Sequence, residues 1–421
     1  MKFSIITPEH TNSNLKFLLE LQQTILDQTY TNWEWIVYCN GDGVDTFLIE
    51  NALAKDPRIS VVQGKDYAPD FSIGHIKHDA FMLGTGDVLV EVDHDDLITP
   101  DCLEELEIAF QDEEVGFVYS DNATLDMTGE FIPYLDSHGW TYYMTEWEGE
   151  EHITMKSFPP TSHSIGLIWY APDHVRSWRK SLYHEIGGHN LDYLIADDAE
   201  IMIRTYLATK MYKIEKTLYL YRITGHNTFS GDRNQLIQDT TRELFRVNIE
   251  DLAIKDAKDR GLLAVDIGGG SWPRKDCINV DLWEGADVVH DLNDRLPFED
   301  GSVGMLRAYH ILEHLPDKQK IMKEIYRVLA HGGWFICEVP STDGRGAFQD
   351  PTHVSYWNAN SFWYYCSQEY ARFIYNDGGI RFQQYDCYDW YASEEHKIIN
   401  TRFIGVALKD DYPRYPGEIR I

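Results

Sequence analysis

Two stretches decide the fold: Leu262-Leu-Ala-Val-Asp-Ile-Gly-Gly-Gly270 and, near the start of the chain, Phe3-Ser-Ile-Ile-Thr-Pro8. Each is a short apolar run that stops at a breaker, the mark of a first strand opening into a turn. The earlier run is followed by an amphipathic pattern (Leu15, Leu18, Leu19, Gln22, Ile25, Leu26), a strand-like run Trp33-Glu-Trp-Ile-Val-Tyr38 and a turn at Asn40-Gly-Asp-Gly43. Strand alternating with helix predicts an α/β sheet covered on both faces, with ligands at the carboxyl ends of its strands. Because the pattern begins twice, two such units are expected, and 421 residues give each room for a core.

Between the two beginnings, residues 232–260 are rich in Asp, Glu, Arg, Gln and Asn, with Leu236, Ile237, Leu244, Phe245 and Leu252 at near-helical spacing. This predicts a helical linker over 232–260, a first domain over 1–231 and a second over 261–421. Lys and Arg number 37 against 69 Asp and Glu, a net charge of −32. Such a field repels phosphate backbones and anionic lipid, which argues against nucleic-acid or membrane-surface partners but leaves phosphorylated small molecules open if a cation mediates. The six cysteines are far apart, with no C-x-x-C pair, so neither a zinc cluster nor a disulfide framework is expected. Reduced thiols, no membrane span and no signal-peptide core predict a cytoplasmic protein.

Upstream, Asp87-Val-Leu-Val-Glu-Val-Asp-His-Asp-Asp96 reads as a strand that delivers carboxylates at its carboxyl end. Mg²⁺ and Mn²⁺ bind through such oxygens together with substrate phosphates. The plainer reading is a solvated acidic loop before a helix capped by Asp101. The surroundings resemble family-2 glycosyltransferases of the GT-A fold, a Rossmann-like nucleotide-sugar domain. The resemblance rests on Ser4-Ile-Ile-Thr-Pro8, Gln28-Thr-Tyr-Thr-Asn-Trp-Glu34, Gly84-Thr-Gly-Asp87, and Asp93-x-Asp95-Asp96 with Pro100. It implies that Asp93 and Asp95 hold Mn²⁺ or Mg²⁺ on the diphosphate of a UDP- or GDP-sugar donor, and that Asp42 reads the base. It further implies that Thr7, Pro8, Glu9, Lys77 and His94 line the donor site. Lys77-His-Asp-Ala-Phe81 departs from the family's usual Arg-Asn-x-Ala-Leu.

Gly187-Gly-His-Asn-Leu-Asp-Tyr-Leu-Ile-Ala-Asp-Asp198 resembles the same family's glycine pair and acidic pair. The resemblance implies that Asp198, with Asp197 beside it, takes the acceptor hydroxyl's proton in an inverting transfer. The alternative is ordinary acidic charge at a helix N-terminus. Tyr221-Arg-Ile-Thr-Gly-His226 resembles a segment whose His adds a metal or diphosphate contact. Among the aromatics Trp140, Tyr142, Tyr143, Trp147, Trp169, Tyr170 and Trp178, most are expected in the core and one or two as sugar platforms.

Downstream, Asp266 and the glycines open a turn where a helix is expected to begin, and Cys277-Ile-Asn-Val-Asp281 ends a second strand in an acid. Trp272-Pro273 interrupts any dinucleotide fingerprint. The region resembles class I S-adenosylmethionine-dependent methyltransferases, doubly wound domains, through Ile278-Asn-Val-Asp-Leu282, Leu296-Pro-Phe-Glu-Asp-Gly301, His310-Ile-Leu-Glu-His-Leu315 and Glu324-Ile-Tyr-Arg-Val-Leu329. It implies that the loop at Asp266, Gly268 and Gly270 passes the methionine part of the cofactor, Asp281 binds ribose and Asp291 borders adenine. Phe348-Gln-Asp-Pro-Thr-His353 matches a subgroup associated with sugar and polysaccharide gene sets.

Methyl transfer to a hydroxyl needs the acceptor positioned and its proton removed, and His310, Glu313, His314 and His353 are candidates. Their plainer role is to cap a helix start, and the sequence suggests no metal cluster here. The expectation is a bifunctional enzyme of hexosyltransferase type acting on a carbohydrate acceptor. Its rivals are a second domain that only binds or scaffolds, and a carbohydrate-binding protein without turnover.

Overall fold

The computed structural model describes residues 1–9, 15–41, 44–53, 55–65, 73–129, 131, 133, 140–168, 171–193, 195–224, 233–374 and 379–409. The chain divides into two compact units, one over Met1–Ile249 and one beginning at Glu250. Among the described residues no helix is long and apolar enough to cross a membrane.

In the first unit the strands are β1 (Phe3–Glu9), β2 (Trp33–Cys39), β3 (Ile59–Gln63), β4 (Val88–Glu91), β5 (Leu97–Ile98), β6 (Val115–Asp126), β7 (Tyr142–Trp147), β8 (Glu150–Met155), β9 (Ser177–Arg179) and β10 (Lys210–Ile223). The helices are α1 (Leu15–Leu26), α2 (Thr46–Ala52), α3 (Ile73–Phe81), α4 (Cys102–Ala109), α5 (Lys180–Glu185) and α6 (Asp197–Ala208). The sheet runs β3-β2-β1-β4-β9-β6-β10-β5, with the β7-β8 hairpin joined to β6 through β8. β1 is parallel to both β2 and β4, whereas β9 is antiparallel to its neighbours. Chain order reverses at β1/β4, so a crevice opens beyond their carboxyl ends.

The family-like motifs have structural work here. Gln28, buried, donates to the carbonyls of Thr24 and Thr99 and accepts from Leu103 N at the start of α4. Glu34 accepts from Ser4, Lys2 and the backbone N–H of Thr85, which fixes the 84–86 turn. A Cβ at Gly86 would stand 2.6 Å from the carbonyl of Lys2, so glycine is required there.

The connector forms as one helix, α7 (Arg233–Asp259), and the division between the units falls inside it. Its last turns bury Leu252, Ala253 and Ala257. The second unit continues with β11 (Leu263–Ile267), β12 (Ile278–Asp281), β13 (Val288–Val289), β14 (Val303–Tyr309), α8 (Lys318–Val328), β15 (Leu329–Pro340), α9 (Gly346–Gln349), α10 (Trp363–Cys366), α11 (Gln368–Ala371), β16 (Phe382–Ser393) and β17 (Ile398–Ala407). Its sheet runs β13-β12-β11-β14-β15-β17-β16, parallel except that β17 is antiparallel to β15 and β16. The reversal at β11/β14 opens a second crevice.

Two local expectations are corrected. No helix follows the glycine loop: residues 268–277 pass directly to β12, because the connection is short and Trp272-Pro273 breaks it. Residues 310–314 are not the first turn of a helix either. They contain a single 3-10 turn, Leu312–His314, and α8 begins later under an Asp317 cap that accepts from Lys320 N.

At Gly304 on β14 a Cβ would lie 2.7 Å from the Cβ of Ala257 on α7. Gly304→Val is expected to destabilise the second unit by about 1–3 kcal/mol through overpacking. Urea unfolding followed by a probe in that unit measures this, and an unchanged midpoint would separate α7 from the second core.

Candidate active sites

In the first unit the acids after β4 divide by role. Asp96 is buried and accepts from Tyr219 OH at 2.8 Å and Arg222 N at 2.7 Å, so it is structural. The Asp95 carboxylate has no hydrogen bond or ion pair among the described residues, and that of Asp93 meets His174 Nε2 at 3.9 Å. Burial pushes the Asp93 carboxyl up and the His94 imidazole down. Two carboxylates with one residue between them, one without a protein partner among the described residues and the other facing only His174 at 3.9 Å, fit a hard divalent cation. Asp42 and His226 lie outside the described residues, as do Trp169 and Tyr170.

Thr7 is buried and its hydroxyl accepts from Trp35 Nε1, while Glu9 is buried near Cys39. Pro8 is half-buried.

Lys77 is held by acidic groups of its own unit. Its Nζ is buried against Asp198 at 2.9 Å, Glu91 at 2.8 Å and Asp197 at 3.5 Å. Arg176 Nη1 approaches the other oxygen of Asp198 at 2.9 Å and Glu91 at 3.7 Å. Burial alone would raise the carboxyl of Asp198, but Arg176 and Lys77 outweigh it and hold that group well below the usual carboxylate range. Glu91 is likewise brought to about 2 by Lys77 and Arg176 against the effect of burial. Burial wins at Asp197, which rises to about 6. Asp198 is therefore ionised, held from two sides and 22% exposed, whereas the Asp197 side chain is only 8% exposed.

Sequence reasoning missed His174 and Arg176. The available signal was Asp173-His-Val-Arg176, charges directly before a buried strand, where each must find a partner.

In the second unit Asp266 stands at the start of the glycine loop. It is fully buried, with Arg307 Nη1 at 2.9 Å and the N–H of Arg274 at 2.7 Å. Arg307 in turn faces Glu250 of α7. Gly268 has φ +74° and a Cβ there would strike Ile311 at 2.4 Å, so the loop lies against the segment after β14. A Cβ at Gly270 would meet nothing, and Gly270 N donates to Asp281 at 2.9 Å. Asp281 also accepts from Trp283 N. The loop backbone is thus held open beside an acid, which suits a nucleoside-bearing ligand. Asp291 is exposed and accepts from Asn293, closing a turn.

Next to this loop lies a pocket of about 400 Å³ lined by His310, Glu313, His314, Asp350 and His353 among others. His310 has φ +52°, a strained backbone for a residue other than glycine. Glu313 and Glu338 beside it push its imidazole up to about 9, which makes it a cation at neutral pH rather than a base. One ligand atom each from Glu313, His314 and His353 lies within 4.8 Å of the others, so the fold assembles a group that the sequence reading did not anticipate.

Residues 275–337 match the family described as methyltransferase domain. Chondroitin synthase of Escherichia coli is 27% identical over 148 residues, 34% of this chain and 20% of that protein. A probable S-adenosylmethionine-dependent methyltransferase of Mycolicibacterium smegmatis is 32% identical over 77 residues, 17% of this chain and 30% of that protein. TarS of S. aureus in complex with UDP-GlcNAc has a TM-score of 0.43 at 18% identity, covering 61% of this chain and 69% of that one. The chain spans under a third of the length of the curated relatives it matches. The chain thus contains a match to a methyltransferase domain in its second unit and a partial sequence likeness to chondroitin synthase.

Lys77→Met would leave Glu91 and Asp198 with one cation fewer in a buried site, and a loss of about 3–5 kcal/mol is expected. Chemical denaturation checks this, and a loss below ~1 kcal/mol would show that Arg176 compensates alone.

Proposed function

We propose that the first unit transfers a hexose from a UDP- or GDP-sugar to a carbohydrate hydroxyl with inversion, and that the second methylates a sugar hydroxyl from S-adenosylmethionine. The observation that carries the first part is the pairing of two adjacent carboxylates, Asp95 without a partner among the described residues and Asp93 facing His174 at 3.9 Å, with an ionised Asp198 fixed by two cations. A Mn²⁺ or Mg²⁺ ion held by Asp93 and Asp95 supplies charge neutralisation to a donor diphosphate in a strongly acidic protein. Asp198 accepts the proton as the acceptor oxygen attacks the anomeric carbon and the carbon–oxygen bond to the nucleotide breaks. Lys77 and Arg176 orient that carboxylate and keep it unprotonated.

In the second unit the acceptor oxygen forms a bond to the methyl carbon while the methyl–sulfur bond breaks. The electron pair of the broken bond would stay on sulfur and neutralise the sulfonium, and the hydroxyl proton would pass to the carboxylate of Glu313 or the imidazole of His314 in the pocket. What supports this reading is the adjacency of the Gly268 loop to the segment carrying His310, His314 and their partners. His353 completes the pocket as a positioning group. Linkage in one chain supports a shared glycan, because tethering raises the effective concentration of one unit's product at the other. The free cysteines support work in a reducing compartment, the cytoplasm.

Asp198→Asn is expected to lower sugar transfer about 10²–10⁴-fold while donor binding with Mn²⁺ is retained. Product formation against a panel of UDP- and GDP-sugars reads this out, and wild-type rates in the variant would remove Asp198 from the mechanism. For the second unit, calorimetry with S-adenosylmethionine should give a binding heat that Asp281→Ala weakens at least ~10-fold, the loss of a charge-assisted hydrogen bond. Heat from neither the cofactor nor its demethylated product would leave that unit a scaffold.

A further inference from the structure

We propose that Glu313, His314 and His353 form a binding site for a divalent transition-metal ion of the zinc type, seated in the acceptor pocket of the second unit. Their ligand atoms lie within 4.8 Å of one another, and a tetrahedral ion about 2 Å from each ligand holds them ~3.3 Å apart, so small side-chain rotations complete the set. Two segments converge: Glu313 and His314 come from the 3-10 turn after β14, and His353 from the segment after α9.

Both oxygens of Glu313 are buried without a hydrogen bond, and the nearest cationic group, His310 Nδ1, is 3.7 Å away. His310 is closer to Glu338, at 3.2 Å, so one imidazole stands against two carboxylates, and a further positive charge would offset the cost of burying Glu313. The lining also includes Asp350 and neither lysine nor arginine.

The histidines are arranged as ligands need to be. His353 Nδ1 lies 3.0 Å from the carbonyl of Ala347, and His314 Nδ1 lies 3.3 Å from that of Thr352. A carbonyl only accepts, so each Nδ1 carries a hydrogen, and Nε2 is the ring nitrogen that remains to meet a metal. Two imidazoles and one carboxylate suit Zn²⁺, Co²⁺ or Ni²⁺ better than Mg²⁺ or Ca²⁺, which prefer oxygen alone. Three protein ligands also leave a fourth position for a hydroxyl oxygen of the acceptor. The ion's role in polarising that hydroxyl rests on the methyl-transfer reading, whereas its binding does not.

The test uses full-length protein stripped by a chelator, titrated calorimetrically with Zn²⁺, and loaded with Co²⁺ to read the visible absorption of the histidine-bound ion. His314→Ala, His353→Ala and Glu313→Gln are each expected to weaken one Zn²⁺ site at least ~100-fold and to abolish the Co²⁺ band. An Asp93→Asn/Asp95→Asn double variant should leave both signals intact, which assigns the site to the second unit. Unchanged Zn²⁺ affinity and stoichiometry in His314→Ala and Glu313→Gln overturns the proposal. His314 is partly exposed, so its removal decides the matter even if His353→Ala fails to fold. A parallel titration with the demethylated cofactor separates the two readings: a metal site lost in the variants, in a protein that never binds the cofactor, retains the ion and rejects methyl transfer.

Discussion

The buried ion cluster of Lys77, Glu91, Arg176 and Asp198 is the constraint on which the first unit turns. Its members come from α3, the end of β4, the segment before β9 and the start of α6, so four parts of the chain must meet for the charges to be satisfied. Two cations face Glu91, Asp198 and Asp197, and burial, with the neighbouring carboxylates, raises Asp197 while Asp198 stays ionised. Such clusters add little net stability over an apolar core, but removing one member leaves a charge stranded. What this cluster secures is position: α6 is held with one carboxylate at the crevice edge beyond β4.

The second unit solves a similar problem with less material. Between β11 and β14 the connections contain no helix, and the last turns of α7 pack on the sheet at Gly304 instead. Asp266 is not offered to ligand but neutralised by Arg307, while Glu250 of α7 meets Arg274, Arg307 and Arg402. The ligand-facing groups that remain are backbone amides, Asp281 and the pocket beyond β14, all on the carboxyl edge of parallel strands.

Much of this was legible in the chain. The two strand-to-turn starts, the helix over the linker and the strand ending at Glu91 follow from hydrophobic period and breakers, which act over a few residues. The glycines at 86 and 268 were readable as special positions, although their reason is close packing against Lys2 and Ile311. The partners of Lys77 and Asp266 were not legible, because a motif gives a residue's type and place in the chain but not the direction of its side chain. Both point inward, to partners 121 and 41 residues away.

The sequence by itself determined that there are two α/β units, where each begins, and which carboxylates fall at strand ends, because these depend on local propensity and pattern. Only the tertiary structure decided which of those carboxylates stay free. Asp95 is left open, Asp96 is tied to Tyr219, Asp198 is gripped by Lys77 and Arg176, and Glu313 is buried beside two histidines. Charge compensation in a low-dielectric interior depends on distances between residues far apart in the chain, and those distances exist only once the sheets have formed.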